Sequence, residues 1–261
     1  MRLENKVAIV TGGSSGIGRA IVHAYAKEGA KVVIAALDEQ KCRETVEEIK
    51  SAGGNAIYVV TDVGNLDDHD RLLTRAVEEF GKVDILVNDA AYSAREELLE
   101  ITPESWDKHM NIDLRGLFFL SQSFAKRIIA QGTSGRIINI GSVAGVMDFH
   151  PVSAAYQVAK AGVIHITRVM GADLAPYKIT VNCIAPGSTV TPMSSSSKKS
   201  EYENYMTKGI PEGRLAKPED MVPPAIMFAS DEAEYITGQT LFVEGGALSL
   251  YLGRPAPTFN P

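Results

Sequence analysis

The sequence predicts an α/β fold: a single domain, residues 1–261, built on a doubly wound parallel sheet of seven strands with helices on both faces. Three observations carry the prediction. Short apolar runs alternate with longer amphipathic segments from end to end, as βαβ units require. The first run closes on a glycine-rich turn that opens a helix. Small and polar residues recur just past the ends of the apolar runs, where an open parallel sheet gathers its ligands. Crossovers in such a sheet are right-handed, and the chain shows neither an internal repeat nor a second domain.

Residues 6–10 form the first run, apolar enough for a strand buried on both faces. Thr11-Gly12-Gly13-Ser14-Ser15-Gly16-Ile17-Gly18 follows, then helix formers over 19–28 and a stop at Gly29. Strand, glycine turn and helix together place backbone N–H groups at a helix N-terminus, against a pyrophosphate. The spacing is Gly-x-x-x-Gly-x-Gly rather than the usual Gly-x-Gly-x-x-Gly. Residues 31–36 are the second strand. Dinucleotide folds place an acid at this tip for the ribose hydroxyls, or an arginine nearby for a 2′-phosphate. Here the tip reads Ala35-Ala36-Leu37-Asp38. Asp38 is read as the cap of the next helix, with a substitute acid as the other reading. Helix 39–52 ends at Gly53-Gly54, and 55–60 is strand three. Asp62-Val63 follows, either a plain turn or a carboxylate within reach of an adenine amino group.

Residues 66–80 carry Leu72, Leu73, Ala76, Val77 and Phe80 at amphipathic-helix spacing. Strand four is 83–87, closed by Asn88-Asp89-Ala90-Ala91, and 92–100 is a polar loop. Thr102-Pro103-Glu104-Ser105 opens a helix, read as one continuous element over 104–130 that holds Asn111. Strand five, 136–140, has Ser142 just past its end. Helix 153–175 is apolar nearly all round, so it is expected to be buried against the sheet and a second subunit. Strand six, 178–184, runs into Ala185-Pro186-Gly187. Between 190 and 213 the pattern is lost, and Met193, Tyr202, Tyr205 and Met206 are read as an apolar lid or a loop packing its own apolar groups. A helix over 218–230 survives Pro223-Pro224 in its first turns. Strand seven is 239–243, and the tail 250–261 has no clear element.

Composition excludes several classes. Apolar residues make up 45% and charged residues 22%, the balance of a soluble globular chain. A net charge of −6 argues against a nucleic-acid partner. No apolar run approaches a membrane span, and the start reads directly into a strand with no signal peptide. Cys42 and Cys183 have neither metal-ligand nor disulfide spacing, so both are read as reduced thiols in a cytoplasmic protein. His23, His69, His109 and His165 fall on helix patterns and read as structural; no metal cluster is visible.

The chemistry centres on Tyr156 and Lys160, four apart and so on one helix face. A phenol of pKa roughly 10 is a poor base at neutral pH. One ammonium about 4 Å away supplies roughly the 4 kcal/mol that would bring it near 7. The pair is therefore a plausible proton-transfer device, provided that the fold brings a cofactor to it.

Taken with Thr11-Gly12-x-x-x-Gly16-x-Gly18, Asp62-Val63, Asn88, Asn111, Ser142, Pro186-Gly187 and Thr191, the pair makes the chain resemble the short-chain dehydrogenase/reductase family along essentially its whole length. The resemblance implies a Rossmann-like fold and reversible oxidation of a secondary alcohol to a ketone with NAD(P). It implies a tetrad: Ser142 orients the substrate oxygen, Tyr156 exchanges the proton, Lys160 lowers the tyrosine pKa and holds the nicotinamide ribose, and Asn111 anchors a water. It places the cofactor on Gly12, Ser14, Ser15, Gly16, Ile17, Gly18, Leu37, Asp62, Val63, Asn88, Ala90, Pro186, Gly187, Thr189 and Thr191. Asp89 and Ala91 depart from the family's Asn-Asn-Ala-Gly, and Ala36 offers neither acid nor base. With nothing positive in view for a 2′-phosphate except Arg43 swinging in, the expectation leans to NAD over NADP. Ser93, Ala144, Phe149, His150, Val152, Ser188, Met193 and Tyr202 are expected to line the substrate cleft, suiting a small or medium ketone, a sugar or polyol, or a ring alcohol. A carrier-linked 3-oxoacyl substrate would want a basic rim that the sequence does not show. A non-catalytic dinucleotide-binding regulator is the other reading of the same fold. A homotetramer is expected.

Overall fold

The computed structural model describes residues 1–148, 153–193 and 207–249. Seven parallel strands stand in the order β3-β2-β1-β4-β5-β6-β7. They are β1 Val7–Thr11, β2 Lys31–Ala36, β3 Asn55–Val60, β4 Ile85–Asn88, β5 Gly135–Ile140, β6 Ile179–Pro186 and β7 Thr240–Val243. The order reverses at β1, which pairs with β2 on one side and β4 on the other, Thr11 lying opposite both Ala35 and Asn88. In such a sheet the ligand crevice opens beyond that reversal.

Alternation along the strands feeds two cores. Ala8, Val10, Val32 and Ile34 face Ile21, Val22 and Tyr25 of helix α1 (Gly16–Lys27), Val46 and Ile49 of α2 (Glu39–Ser51), and Phe228 of α7 (Val222–Ala229). Val7, Ile9, Val33 and Leu86 face Leu72 and Leu73 of α3 (Leu66–Phe80) and Leu120, Phe124 and Ile128 of α5 (Leu117–Gln131). A sheet covered on both faces needs the near-continuous apolar strands seen here. The caps follow the sequence: Asp38 accepts from the Lys41 N–H, and Gly81 ends α3 in the left-handed conformation. Prolines 223 and 224 fall in the first turn of α7, where their missing N–H groups cost nothing.

The continuous helix expected over 104–130 is instead three pieces. Helix α4 (Pro103–His109) passes into a π-helical turn, Met110–Gly116, and then into α5. At the end of this turn Gly116 lies so close to the loop after β3 that a Cβ there would sit 2.3 Å from the Val63 carbonyl oxygen. Such turns are frequent at functional sites. Helix α6 (Ala154–Leu174) carries Tyr156 and Lys160. It packs on the π-helical turn and on β6. Val163, Ile164 and Met170 are buried, whereas Val158 and Val169 are 48% and 40% exposed, so α6 is not covered all round within one chain. Among the described residues no helix is long and apolar enough to cross a membrane, and no cluster could hold a metal ion.

Candidate active site

The site grows from the end of β1. Thr11 Oγ1 accepts from the backbone N–H groups of Asp89 (3.0 Å) and Ala90 (3.1 Å), tying the tips of β1 and β4 together. The chain then turns through Gly12 and Gly16, at φ of 68° and 52°, a backbone that side chains disfavour. Ser15 caps α1 without a side-chain hydrogen bond, and no acid occupies the first turn. Gly16 and Ile17 therefore bring uncapped N–H groups to the cleft, the makings of an anion site. Gly18 does not join them. Its N–H donates to Asp89 Oδ2 at 2.8 Å, and it does not border the cleft. The cradle of glycines fits the pyrophosphate of a dinucleotide, with Asp89 closing its inner end.

The cleft beyond the strand ends has a volume of about 840 Å³. It brings together, as expected, Gly12, Ser14, Ser15, Gly16, Ile17, Leu37, Asp62, Val63, Ala90, Pro186, Gly187, Thr189 and Thr191, with Ser93, Ser188 and Met193 beside Ser142, Tyr156 and Lys160. Four expected residues stand apart. Asn88 is buried, donating to Ser121 Oγ and Asn139 Oδ1, both at 2.9 Å, so it braces β4 against its neighbours. Ala144 is buried and its N–H donates to Ser142 Oγ. Gly18 is spent on Asp89. Asn111 Nδ2 donates to the Gly64 carbonyl at 3.2 Å and its Oδ1 accepts from Arg115, which points it at the β3 loop rather than into the cleft. Phe149, His150, Val152, Tyr202, Tyr205 and Met206 lie outside the described residues.

The same π-helical turn carries Asp113. It is 1% exposed. Its Oδ1 accepts from the Tyr92 N–H at 2.7 Å, while its buried Oδ2 has no partner among the described residues. His109, one turn earlier, is fully buried: its Nε2 accepts from the Ala94 N–H and its Nδ1 lies 2.8 Å from the Ser105 carbonyl. Its ring centroid is 6.5 Å from that of Tyr156. The loop after β4 is thus fastened at Tyr92 and Ala94, and the Ser153 N–H at the head of α6 donates to Ala94 O.

Lys160 is 3% exposed; its Nζ donates to Ile140 O at 2.9 Å and stands 5.5 Å from the Tyr156 ring centroid. Burial works against its charge, but Tyr156, Asp113, Asp89 and Cys183 outweigh that and raise its pKa. The phenol of Tyr156 is not depressed in the chain alone. Burial raises it, Lys160 pulls it back, Asp113 raises it further, the Ser142 hydroxyl lowers it and Asp89 raises it again. The sequence reading weighed only Lys160. Burial pushes Asp89 up to about 7 and Asp113 up to about 6, each against the pull of Lys160. Burial likewise raises both buried thiols, Cys42 and Cys183.

Cations that the sequence did not single out also border the cleft: Lys41, Arg95 and Lys108. Lys41 Nζ lies 2.9 Å from Asp38 Oδ2. Arg43 is turned away, paired with Glu39 at 3.0 Å and stacked over Tyr58. Lys108 Nζ sits 4.0 Å from the Tyr92 ring centroid. Position at the first turn of α2 would have favoured Lys41 over Arg43; no local signal joins Arg95 to Lys108.

A family model described as enoyl-(acyl carrier protein) reductase matches residues 12–247. The chain is 37% identical to 2-dehydro-3-deoxy-D-gluconate 5-dehydrogenase of Escherichia coli (strain K12), over 95% of this chain and 97% of that one. It is also 37% identical to an L-rhamnose 1-dehydrogenase (NAD(P)(+)) of Azotobacter vinelandii, over 94% and 98%. The crystal structure of a short-chain type dehydrogenase/reductase from Mycobacterium marinum superposes with a TM-score of 0.90 at 31% identity, covering 94% and 96%. With the glycine cradle, the Ser142–Tyr156–Lys160 grouping and these full-length matches, the chain belongs to the short-chain dehydrogenase/reductase family and is an NAD(P)-dependent oxidoreductase.

Proposed function

We propose that the protein interconverts a secondary alcohol and a ketone on a polyhydroxylated carboxylic acid, with Tyr156 as acid and base. The observation that carries the reading is one cleft bordered by Ser142, Tyr156 and Lys160 and also by the exposed cations Arg95 and Lys108. Cations and hydroxyls such as Ser93 and Ser188 suit an anionic sugar derivative, and the name of the Escherichia coli relative, a gluconate-type sugar-acid dehydrogenase, points the same way.

When bound, the nicotinamide cofactor accepts or returns the hydride. The chain's own residues do the rest. The turn from Gly12 to Gly16 and the N-terminus of α1 hold the pyrophosphate, Leu37 and Asp38 flank the adenosine end, and Pro186, Gly187, Thr189 and Thr191 hold the nicotinamide end. Lys160 stabilises the phenolate form of Tyr156, Ser142 Oγ orients the substrate hydroxyl, and in oxidation that hydroxyl's proton passes to the Tyr156 oxygen, leaving a neutral phenol that returns the proton in reduction. Asp38, whose carboxyl the Lys41 contact holds below its usual range, faces the ribose as an anion, so we retain NAD as the preferred cofactor, with Lys41 admitting NADP. The exposed Val158 and Val169 support a homotetramer, and two inert thiols suit a cytoplasmic setting.

The test is turnover on sugar acids, matched neutral polyols and a 3-oxoacyl thioester. Tyr156→Phe should abolish turnover and spare cofactor binding. Arg95→Ala and Lys108→Ala should raise KM for the acid about tenfold and leave the polyol unchanged. Equal use of acid and polyol by the wild type refutes the anionic substrate. Preference for the thioester moves the basic groups to a carrier. Cofactor binding without turnover on any substrate returns the protein to the regulator reading.

A further inference from the structure

Ala94 is a junction. It lies in the loop after β4, between Ser93 and Arg95, both of which border the cleft. Its carbonyl accepts from the Ser153 N–H at 3.1 Å, at the head of the helix that carries Tyr156. Its N–H donates to His109 Nε2 at 3.3 Å. With Nε2 an acceptor, Nδ1 carries the ring hydrogen and donates to the Ser105 carbonyl at 2.8 Å. Ser105 and His109 stand one turn apart on the same face of α4. The Ser105 hydroxyl grips the same loop a little further on, donating to Glu96 Oε2 at 2.7 Å. The imidazole is fully buried, and its ring centroid is 4.7 Å from that of Tyr92. A buried imidazole spent wholly on backbone groups fixes the segments that it joins.

We propose that His109 is a specificity-determining positioning residue: by holding Ala94 it fixes Arg95 relative to the head of α6, so that the cleft engages a substrate's carboxylate and its reacting alcohol in one pose. The proposal rests on the anionic-substrate reading for its purpose and on the loop geometry for its physics. Neither His109 nor Ala94 borders the cleft, so His109 acts through the neighbours of Ala94. Removing the acceptor leaves the half-buried Ala94 N–H unpaired. The loop relieves that cost by moving, and Arg95 moves with it. The penalty falls on substrates that need the cation. An alcohol without a carboxylate meets the same Ser142, Tyr156 and Lys160 as before.

His109→Leu removes both ring nitrogens at similar volume. It should raise KM for a sugar acid about tenfold, with kcat held to within about twofold and KM for the matched neutral polyol unchanged. His109→Gln, whose amide oxygen takes the place of Nε2 as acceptor, should restore most of the loss. In an Arg95→Ala background His109→Leu should add nothing on the acid, because the effect runs through Arg95. Hydrogen exchange read by mass spectrometry follows the clamp itself: peptides covering residues 92–96 should exchange about tenfold faster in His109→Leu, while those covering β4 keep their protection. NADH fluorescence checks that each variant is folded, and His109→Met takes over should the leucine variant fail that check. In an enzyme that prefers the acid, equal losses on acid and polyol, or full additivity with Arg95→Ala, overturn the proposal. Unmoved exchange over 92–96 overturns it in any case. Faster exchange there, in a wild type that treats acid and polyol alike, upholds His109 as the holder of the loop and removes the anionic-substrate reading instead.

Discussion

Replacing Asp89 with asparagine should make the protein more stable, and more so as pH rises. Asp89 is held between Gly18 and Gly12 in the glycine cradle: its Oδ2 accepts the Gly18 N–H at 2.8 Å and would lie 3.0 Å from a Cβ on Gly12. Burial raises its carboxyl from 3.8 to about 7. A folded-state pKa above the unfolded one means that the native chain binds the proton more tightly, so stability falls as pH climbs from near 4 to above 7. At about 1.4 kcal/mol per pH unit, the ionised carboxylate costs on the order of 4 kcal/mol well above pH 7, and about 1–2 kcal/mol at pH 5. An asparagine has no charge to bury and keeps an acceptor for Gly18. The variant's advantage should therefore grow by roughly 2–3 kcal/mol between pH 5 and pH 8.5, or about 5–10 °C in Tm for a chain of this size. Thermal melts of both proteins across that range measure it. A constant difference, or one that shrinks with pH, refutes the placement of a buried carboxylate in the cradle. The same substitution should tighten NADH binding at alkaline pH, because it removes a like charge from the pyrophosphate's floor.

Other consequences are as direct. Gly116→Ala drives a methyl to within 2.3 Å of the Val63 oxygen; a loss of roughly 1–3 kcal/mol in urea unfolding and a drop in kcat are expected, and wild-type behaviour would contradict the close approach. Lys41→Ala should weaken NADPH about tenfold and leave NADH unchanged in a fluorescence titration. Val158→Asp, on the uncovered face of α6, should reduce the proposed tetramer to smaller species by light scattering; a wild-type protein already monomeric at micromolar concentration removes that assembly.

The frame was legible because local and global signals agree in it. Alternating apolar runs, Asp38 as a cap and Gly81 as a helix stop each leave a mark within a few residues. Ser142, Tyr156 and Lys160 were legible because their spacing and their place past strand ends pointed to one crevice. The break in the helix over 104–130 left no mark, because an apolar period does not distinguish an α turn from a π turn; within that turn the Asn111 side chain meets Gly64 and Arg115. The basic rim failed for another reason. Arg95 and Lys108 belong to a loop and to a short helix, and only the fold sets both on the cleft. Asp89 was visible as a departure from the family's pattern, but its half-buried place against Gly12 and Gly18 is a property of separate segments meeting. No single stretch records that meeting.

The reversal of strand order at β1 also bears on how the molecule comes to exist. The Val7 N–H donates to Asp84 Oδ2, 77 positions further along the chain, at 2.7 Å, and β1 cannot pair with β4 until the intervening β2, β3 and their helices have been synthesised. Pairings of such separation slow folding. A nascent chain can first complete β1, β2 and β3 with α1 and α2, leaving the β4 side of β1 open as an unsatisfied edge. That edge is the hazard on the ribosome, where chaperone contact or pairing with a neighbouring chain would compete for it. The tip of β4 that closes it is the same stretch, from Asn88 to Ala91, that completes the cofactor cradle, so the competence to bind a dinucleotide and the end of aggregation risk should arrive in one step.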